Sequence, residues 1–370
     1  MLDIRPFPSI VSLFGYKFTL LDRCLGGFLT ALVLGLAIGR PIINFLIDHS
    51  ICQIFRTRRQ VRDLAALHRS KAGVPTMGGF IILFASIAAT VLWAAFNDMV
   101  VVTLIVYLFC TLMGAMDDAL KIIRENSTGL TAWQKLFLHG LITAFVWYVA
   151  SKNPPVNNLL THVDWRWLVG QFDSSTVALL TFAFLFLVIA GTSNAVNITD
   201  GIDGLAISST MQCLFFFGVV AFFSRDFSVA KKSLLTYISG SGELAVLCAC
   251  FTGGSVAFFA FNMSPASIFM GDMGAIGLGG LLAIVAILLR QPFALVLVGS
   301  IFVVETVSVA LQVTSKRLFK RKIFLMAPLH HHFELKGHSE RAIIRVAFIL
   351  QTICTVVAFC IVFYGCLRFH

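Results

Sequence analysis

Apolar runs of about 20 residues, the length a helix needs to cross a bilayer, recur from one end of this 370-residue chain to the other. A backbone in hydrocarbon must satisfy its own N–H and C=O groups, so such runs predict membrane-spanning helices. Composition points the same way. Asp, Glu, Lys and Arg make up only 12% of the residues, about half the roughly 25% of a soluble domain. The expected fold is all-α, a polytopic integral membrane protein formed by residues 1–370 as a single domain. Met1–Arg23 lacks the ordered basic, apolar and small-residue segments of a cleaved signal peptide.

Ten candidate spans can be drawn: 25–45, 77–95, 100–116, 135–150, 177–198, 204–223, 243–262, 272–289, 292–312 and 343–367. Lys135, His139, Asn194 and Asn197 lie in or near the less sharply bounded ones. An even number places both termini on one side. Lys and Arg crowd the odd-numbered connections, above all Lys316, Arg317, Lys320, Arg321 and Lys322 after the ninth span. By the positive-inside rule those connections face the cytoplasm, and both termini are expected to be periplasmic. The net charge of +10 is explained by the same bias, so no nucleic-acid partner is expected. The cysteines sit mostly in apolar runs without CxxC or Cys/His spacing and read as reduced thiols.

Polar residues at membrane depth are costly and usually functional, and here they form five clusters. They are His68–Gly79, Met116–Lys121, Asn194–Gly204, Phe269–Gly274 and Met326–Glu334. All five fall in the connections assigned to the cytoplasm, which points to one shared site built from the loops around 56–79, 117–135, 194–204, 262–274 and 313–342.

Asp117 and Asp118 end the third apolar run. Neighbours on a helix are about 100° apart, so one carboxylate can meet a substrate proton while the other meets a lysine or metal. The alternative is a solvated pair at a helix end. Lys121 in the fifth position departs from the DDxxD pattern of prenyl diphosphate synthases. Asp200 and Asp203 are three apart and would share a face on a helical turn, with Gly201 and Gly204 allowing close backbone approach. Asp272 opens the eighth span, where a carboxylate can ligate Mg²⁺ or cap the helix. Lys71 lies in a Gly/Pro-rich loop with Thr76 that could cradle an anion, though no P-loop motif is present. Three consecutive histidines, His330, His331 and His332, suit phosphate contact better than a zinc site.

NAVNITDGIDGLA, FMGD and MAPLHHHFELKG, with the His68–Gly79 loop and the Asp117–Asp118 pair, resemble the signatures of the phospho-N-acetylmuramoyl-pentapeptide-transferase family. That family lies within the polyprenyl-phosphate N-acetylhexosamine-1-phosphate transferases. Val74, Met273 and Ala275 depart from the residues common in it. The resemblance implies a ten-helix, Mg²⁺-dependent enzyme of the bacterial inner membrane, often a homodimer. It would convert UDP-N-acetylmuramoyl-pentapeptide and undecaprenyl phosphate into the first lipid intermediate and UMP, at a site facing the cytoplasm. It further implies Asp272 as the metal ligand, Asp117 as base or nucleophile beside Asp118, and Lys71 and His331 on the phosphates. Asn194, Asn197, Asp200 and Asp203 would line the nucleotide site, with Phe269 stacked on uracil. Thr76, Gly201, Asn262, Gln312, His330 and His332 complete the substrate-binding set. Two alternatives carry different expectations. A relative transferring N-acetylglucosamine-1-phosphate would differ at the triple-His loop, and an ion-coupled secondary transporter would place polar groups at mid-membrane between repeated halves.

Overall fold

The computed structural model describes residues 8–13, 17–52, 73–125, 128–152 and 174–364. Among these the regular structure is helical, apart from isolated bridge positions that include the pair Cys52 and Pro75. The helices are α1 (Ile10–Leu13), α2 (Leu20–Asp48), α3 (Gly79–Trp93), α4 (Asp98–Ile123), α5 (Ala132–Lys152), α6 (Ser174–Thr199) and α7 (Leu205–Ser224). They continue with α8 (Phe227–Lys232), α9 (Gly242–Asn262), α10 (Gly271–Leu288), α11 (Pro292–Val298), α12 (Ser300–Leu318), α13 (Leu329–Leu335) and α14 (Glu340–Val362). Several starts are set by side-chain caps. Thr19 and Asp22 close a capping box on α2, Asn97 accepts from Val100 N–H at α4, and Ser339 accepts from Ala342 N–H at α14.

The protein is polytopic. Seven of these helices are long and apolar enough to cross a membrane, or eight if α11 and α12 are one broken span. Within the described residues each expected stretch falls mainly on helix, with 365–367 of the tenth outside them, but three differ from a plain crossing. The ninth breaks by 84° between Val298 and Ser300, around Gly299. α3 has only 15 residues, and Gln134, Lys135 and His139 dilute the apolar character of α5.

α10 is the centre of the bundle. Every residue from Met273 to Leu288 is buried, as expected of a helix that is hydrophobic all round. It packs on α3, α4, α6 and α7. A Cβ added at Gly277 or Gly280 would come closer than 3.0 Å to Thr111 or Cys110 of α4, and one at Gly279 would strike the backbone of Ser193 on α6. Lipid tails are as apolar as leucine, so helices in a membrane associate through such close packing rather than through a hydrophobic drive. α2 and α9 meet in the same way. The buried face of α2 carries Gly27, Ala31, Gly35 and Gly39 at four-residue intervals, and Gly35 faces Ala257. Leu29, Val33, Leu108, Leu112, Ile353 and Val356 are exposed and form part of the bilayer-facing surface.

The N-terminal end of α10 lies beside the C-terminal ends of α4, α6 and α9. At the opposite end Glu243 accepts from Arg23 at 3.0 Å and from Ala95 N–H at 2.7 Å, tying α2 and α9 to the α3–α4 turn.

Gly253 of α9 sits against the carbonyl of Phe28 on α2, which cannot move aside. Gly253→Val is expected to destabilise by about 1–3 kcal/mol, the usual cost of overpacking. Thermal unfolding in detergent should show a lower Tm, whereas Leu29→Ala on the lipid-facing side should leave it unchanged. Equal Tm values for Gly253→Val and the parent would show that this helix contact is loose.

Candidate active site

α4 does not stop at the end of its apolar run. It continues to Ile123, so Asp117 and Asp118 lie inside the helix and are 1% and 4% exposed. The alternative of a solvated pair at a helix end does not hold: packing against α10 and the 128–131 segment covers both. The two carboxylates diverge as helix geometry requires. Asp118 Oδ2 accepts Met273 N–H at 3.0 Å, in the first turn of α10. Asp117 Oδ1 accepts Leu130 N–H at 2.6 Å and lies 3.1 Å from Lys135 Nζ of α5. Lys121, one turn on, lies 2.7 Å from Asp117 Oδ2 and 3.6 Å from Asp118 Oδ1.

Asp272 completes the cluster. Gly271 before it has φ of +72°, and a Cβ there would come closer than 3.0 Å to Asp118 Oδ2 and Thr76 Oγ1, so glycine is required on both counts. Asp272 Oδ2 lies 3.0 Å from both Lys121 and Lys135, and its Oδ1 accepts the Asn197 amide at 2.9 Å. Asp117, Asp118 and Asp272 each offer an oxygen within 4.8 Å of the others. Three carboxylates from two helices are a hard-oxygen donor set that fits Mg²⁺, and Asp272 is joined in it by both residues of the pair.

The other clusters converge on this end. Gly78 N–H and Gly79 N–H donate to Phe269 O and Met270 O, and Phe269 N–H donates to Pro75 O, which seats buried Thr76 and half-buried Phe269 beside Gly271. Lys71 lies outside the described residues. α6 ends at Thr199, so Asp200–Gly204 is a turn and its two acids do not share a helical face. Asp203 is buried and accepts Ala266 N–H at 3.1 Å. Burial, together with the charges of Asp272, Asp118 and Asp203, pushes the Asp200 carboxyl well above its usual range. Asn262 accepts Gly204 N–H and donates to Ile268 O, clamping this turn to the 263–268 segment. Of the two asparagines of α6, Asn197 reaches the carboxylates, while Asn194 donates back to Ala190 O.

The three histidines of α13 part company. His330 is buried, with Nε2 against Gly201 and Nδ1 3.3 Å from Glu305 Oε2. His331 Nδ1 lies 2.6 Å from Glu334 Oε2, and His332 Nδ1 accepts Leu325 N–H at 3.1 Å. Gln312 accepts from Ile323 and Phe324 N–H and donates to Phe324 O, so its amide holds the loop before the histidines. Three charged residues at these positions were not among the expected site residues: Lys121, Lys135 and Glu305. Their signal was present. Lys121 follows the paired acids by one turn, and Lys135 and Glu305 are ionisable residues within apolar runs.

Known proteins resemble this chain along most of its length. Residues 100–290 match the family model described as glycosyl transferase family 4, a stretch that contains all three carboxylates and the Asn194–Gly204 turn. The phospho-N-acetylmuramoyl-pentapeptide-transferase of Methylacidiphilum infernorum (isolate V4) is 38% identical over 322 residues, 87% of this chain and 88% of that protein. The protein of the same description from Vesicomyosocius okutanii subsp. Calyptogena okutanii (strain HA) is 38% identical over 349 residues, 91% and 92% of the two chains.

If the carboxylate cluster holds a divalent cation, Mn²⁺ should bind the purified protein in detergent, as read by the loss of its free paramagnetic signal. Asp272→Asn and Asp118→Asn should each weaken binding by about 100-fold, at the upper end of the effect of losing even an outer-shell partner. Unchanged affinity in both variants would remove the cluster as a cation site.

Proposed function

The chain belongs to the phospho-N-acetylmuramoyl-pentapeptide-transferase family, and we infer that it transfers phospho-N-acetylmuramoyl-pentapeptide from its UDP conjugate to undecaprenyl phosphate, yielding lipid I and UMP in peptidoglycan synthesis. The observation that carries its chemistry is the buried meeting of Asp117, Asp118 and Asp272 with Lys121 and Lys135.

Both substrates are anions, so their approach must be offset before any bond can form. An oxygen of the acceptor phosphate attacks the sugar-bearing phosphorus, and the bond from that phosphorus to the oxygen of UMP breaks. Such transfer depends chiefly on positioning and charge stabilisation. The family uses Mg²⁺. It would be held by Asp272 with Asp117 and Asp118 and would neutralise phosphate charge. Lys121 and Lys135 are close enough to the same carboxylates to turn their ammonium groups to phosphate oxygens. Asp117 and Asp118 are the bases within reach of an acceptor phosphate that arrives protonated. The Asp200–Gly204 turn, Asn197, Phe269 and His330 are assigned to the uridine diphosphate portion, and Lys71 and His331 to the phosphates. Asn262, Gln312 and His332 are assigned to shaping the loops of this single domain.

The protein is assigned to the bacterial plasma membrane with its carboxylate end toward the cytoplasm and both termini outward. Lys316 and Arg317 in the last turn of α12, with Lys320, Arg321 and Lys322 just after it, lie at that same end, which supports this orientation. Ten crossings result if α3 and α5 each span and bent α11–α12 counts once. A homodimer in the bilayer is proposed on family resemblance. Transfer from UDP-N-acetylglucosamine is less favoured, since the extended identity is to proteins described as acting on the muramoyl-pentapeptide donor. A transporter is less favoured because the charged cluster lies at one end of the bundle.

Purified protein with undecaprenyl phosphate, Mg²⁺ and UDP-N-acetylmuramoyl-pentapeptide should release UMP only when the lipid is present. Lys135→Met and Asp272→Ala are each expected to lower kcat by about 10²–10³-fold, the scale of removing one electrostatic stabiliser. Release with UDP-N-acetylglucosamine alone would move the donor assignment, and release with neither donor would end the transferase assignment.

A further inference from the structure

α12 leaves the break at Gly299 and buries one stripe bearing Glu305, Ser308, Gln312 and Ser315. Residues at these intervals share a helix face. Three of them bind the chain that returns toward α13. Ser315 Oγ donates to Arg321 O at 2.9 Å, and Gln312 engages residues 323 and 324. Glu305 takes the last contact: its Oε2 accepts Leu329 N–H at 2.6 Å and His330 N–H at 3.3 Å, and lies 3.3 Å from His330 Nδ1. Glu305 is the sole acidic residue between 292 and 312 and is only 6% exposed. A buried carboxylate in an apolar helix is expensive unless it is hydrogen-bonded or functional.

The far side of the His330 ring is the second observation. Both ring nitrogens are buried without a hydrogen-bond partner among the described residues: Nδ1 has Glu305 Oε2 3.3 Å away, whereas Nε2 faces Gly201 so closely that a Cβ there could not fit. Buried polar atoms in native proteins are nearly always satisfied, so an imidazole nitrogen aimed unpartnered at the Asp200–Gly204 turn is suited to a ligand group. Which ring nitrogen carries a proton is set by the bond the other nitrogen makes.

We propose that Glu305 is a positioning residue for the transfer reaction: it takes the Nδ1 proton of His330 in a hydrogen bond and thereby presents Nε2 to the donor's uridine diphosphate at the Gly201 turn. Such contacts are often long without substrate and tighten in the substrate complex. His331 and His332 are instead tied to Glu334 and Leu325. The assignment rests on the Asp200–Gly204 turn lining the donor site.

The test is a double-mutant cycle on UMP release by the full chain in detergent, with Glu305→Gln, His330→Ala and the pair combined. Gln keeps an oxygen for the Leu329 and His330 N–H groups, so Tm should match the parent, but it removes the charge that strengthens the bond to Nδ1–H. E305Q is expected to lower kcat by about 10–100-fold, the range for losing a partner that orients a ligating imidazole, with KM for the lipid unchanged. In the His330→Ala background the same substitution should cost less than about twofold, because coupled residues are not additive. An equal loss in both backgrounds would overturn the proposal and leave Glu305 as a loop anchor, as would full activity of His330→Ala. If E305Q unfolds, Glu305→Asp serves instead, since its cost must also vanish without His330. A parent that releases no UMP would refute the transferase assignment, whereas an active parent with an additive cycle refutes only the role of Glu305.

Discussion

The chemistry of this protein depends on how closely two helices can approach. A Cβ at Gly114 of α4 would come closer than 3.0 Å to the carbonyl of Asp272 and to Met273 Cα, and Gly277 and Gly280 make equivalent approaches further along α10. Side chains at those positions would push the helices apart. The Asp118 bond to Met273 N–H and the shared grip of Lys121 on both helices would then be lost. Close packing of small residues is how helices associate in lipid. Here the same contact that stabilises the bundle brings three carboxylates within reach of one another.

Concentrating that charge is unfavourable in a buried place, and the structure offsets it with partners drawn from separate elements. α4 supplies Asp117, Asp118 and Lys121, α10 supplies Asp272, α5 supplies Lys135 and α6 supplies Asn197. A buried ion cluster is weak evidence for stability, because desolvation can exceed the Coulombic gain. Its retention fits a site that must meet two anionic substrates and a cation. It also explains why α5 is less apolar than α4, α6 and α10, its partners at the cluster: Lys135 must sit inside it to reach the carboxylates.

Around this centre, polar residues divide by what they touch. Asn197 and Gly271 act directly at the carboxylates. Asn262, Asp203 and Gln312 bind backbone and hold the loops that surround them. In sequence these two groups look alike, because an amide beside an apolar run gives no sign of whether it will face a substrate or a neighbouring N–H. The histidines show the same limit. Three identical residues in a row take three different partners once α13 is docked on α12.

Hydrophobic periods and loop composition alone determined that the chain is helical, crosses a membrane many times and gathers its acids, amides and histidines at one end. Those properties follow from the solvent: hydrocarbon demands apolar runs with internal hydrogen bonds, and it excludes charge to the ends. Motif spelling was enough to point to the family. Tertiary structure decided the rest. Asp117 and Asp118 are buried within α4 rather than solvated at its end, the ninth stretch is broken, and Lys121, Lys135 and Glu305 belong with residues up to about 150 positions away. No local pattern encodes such pairings, since they depend on which glycines let which helices touch.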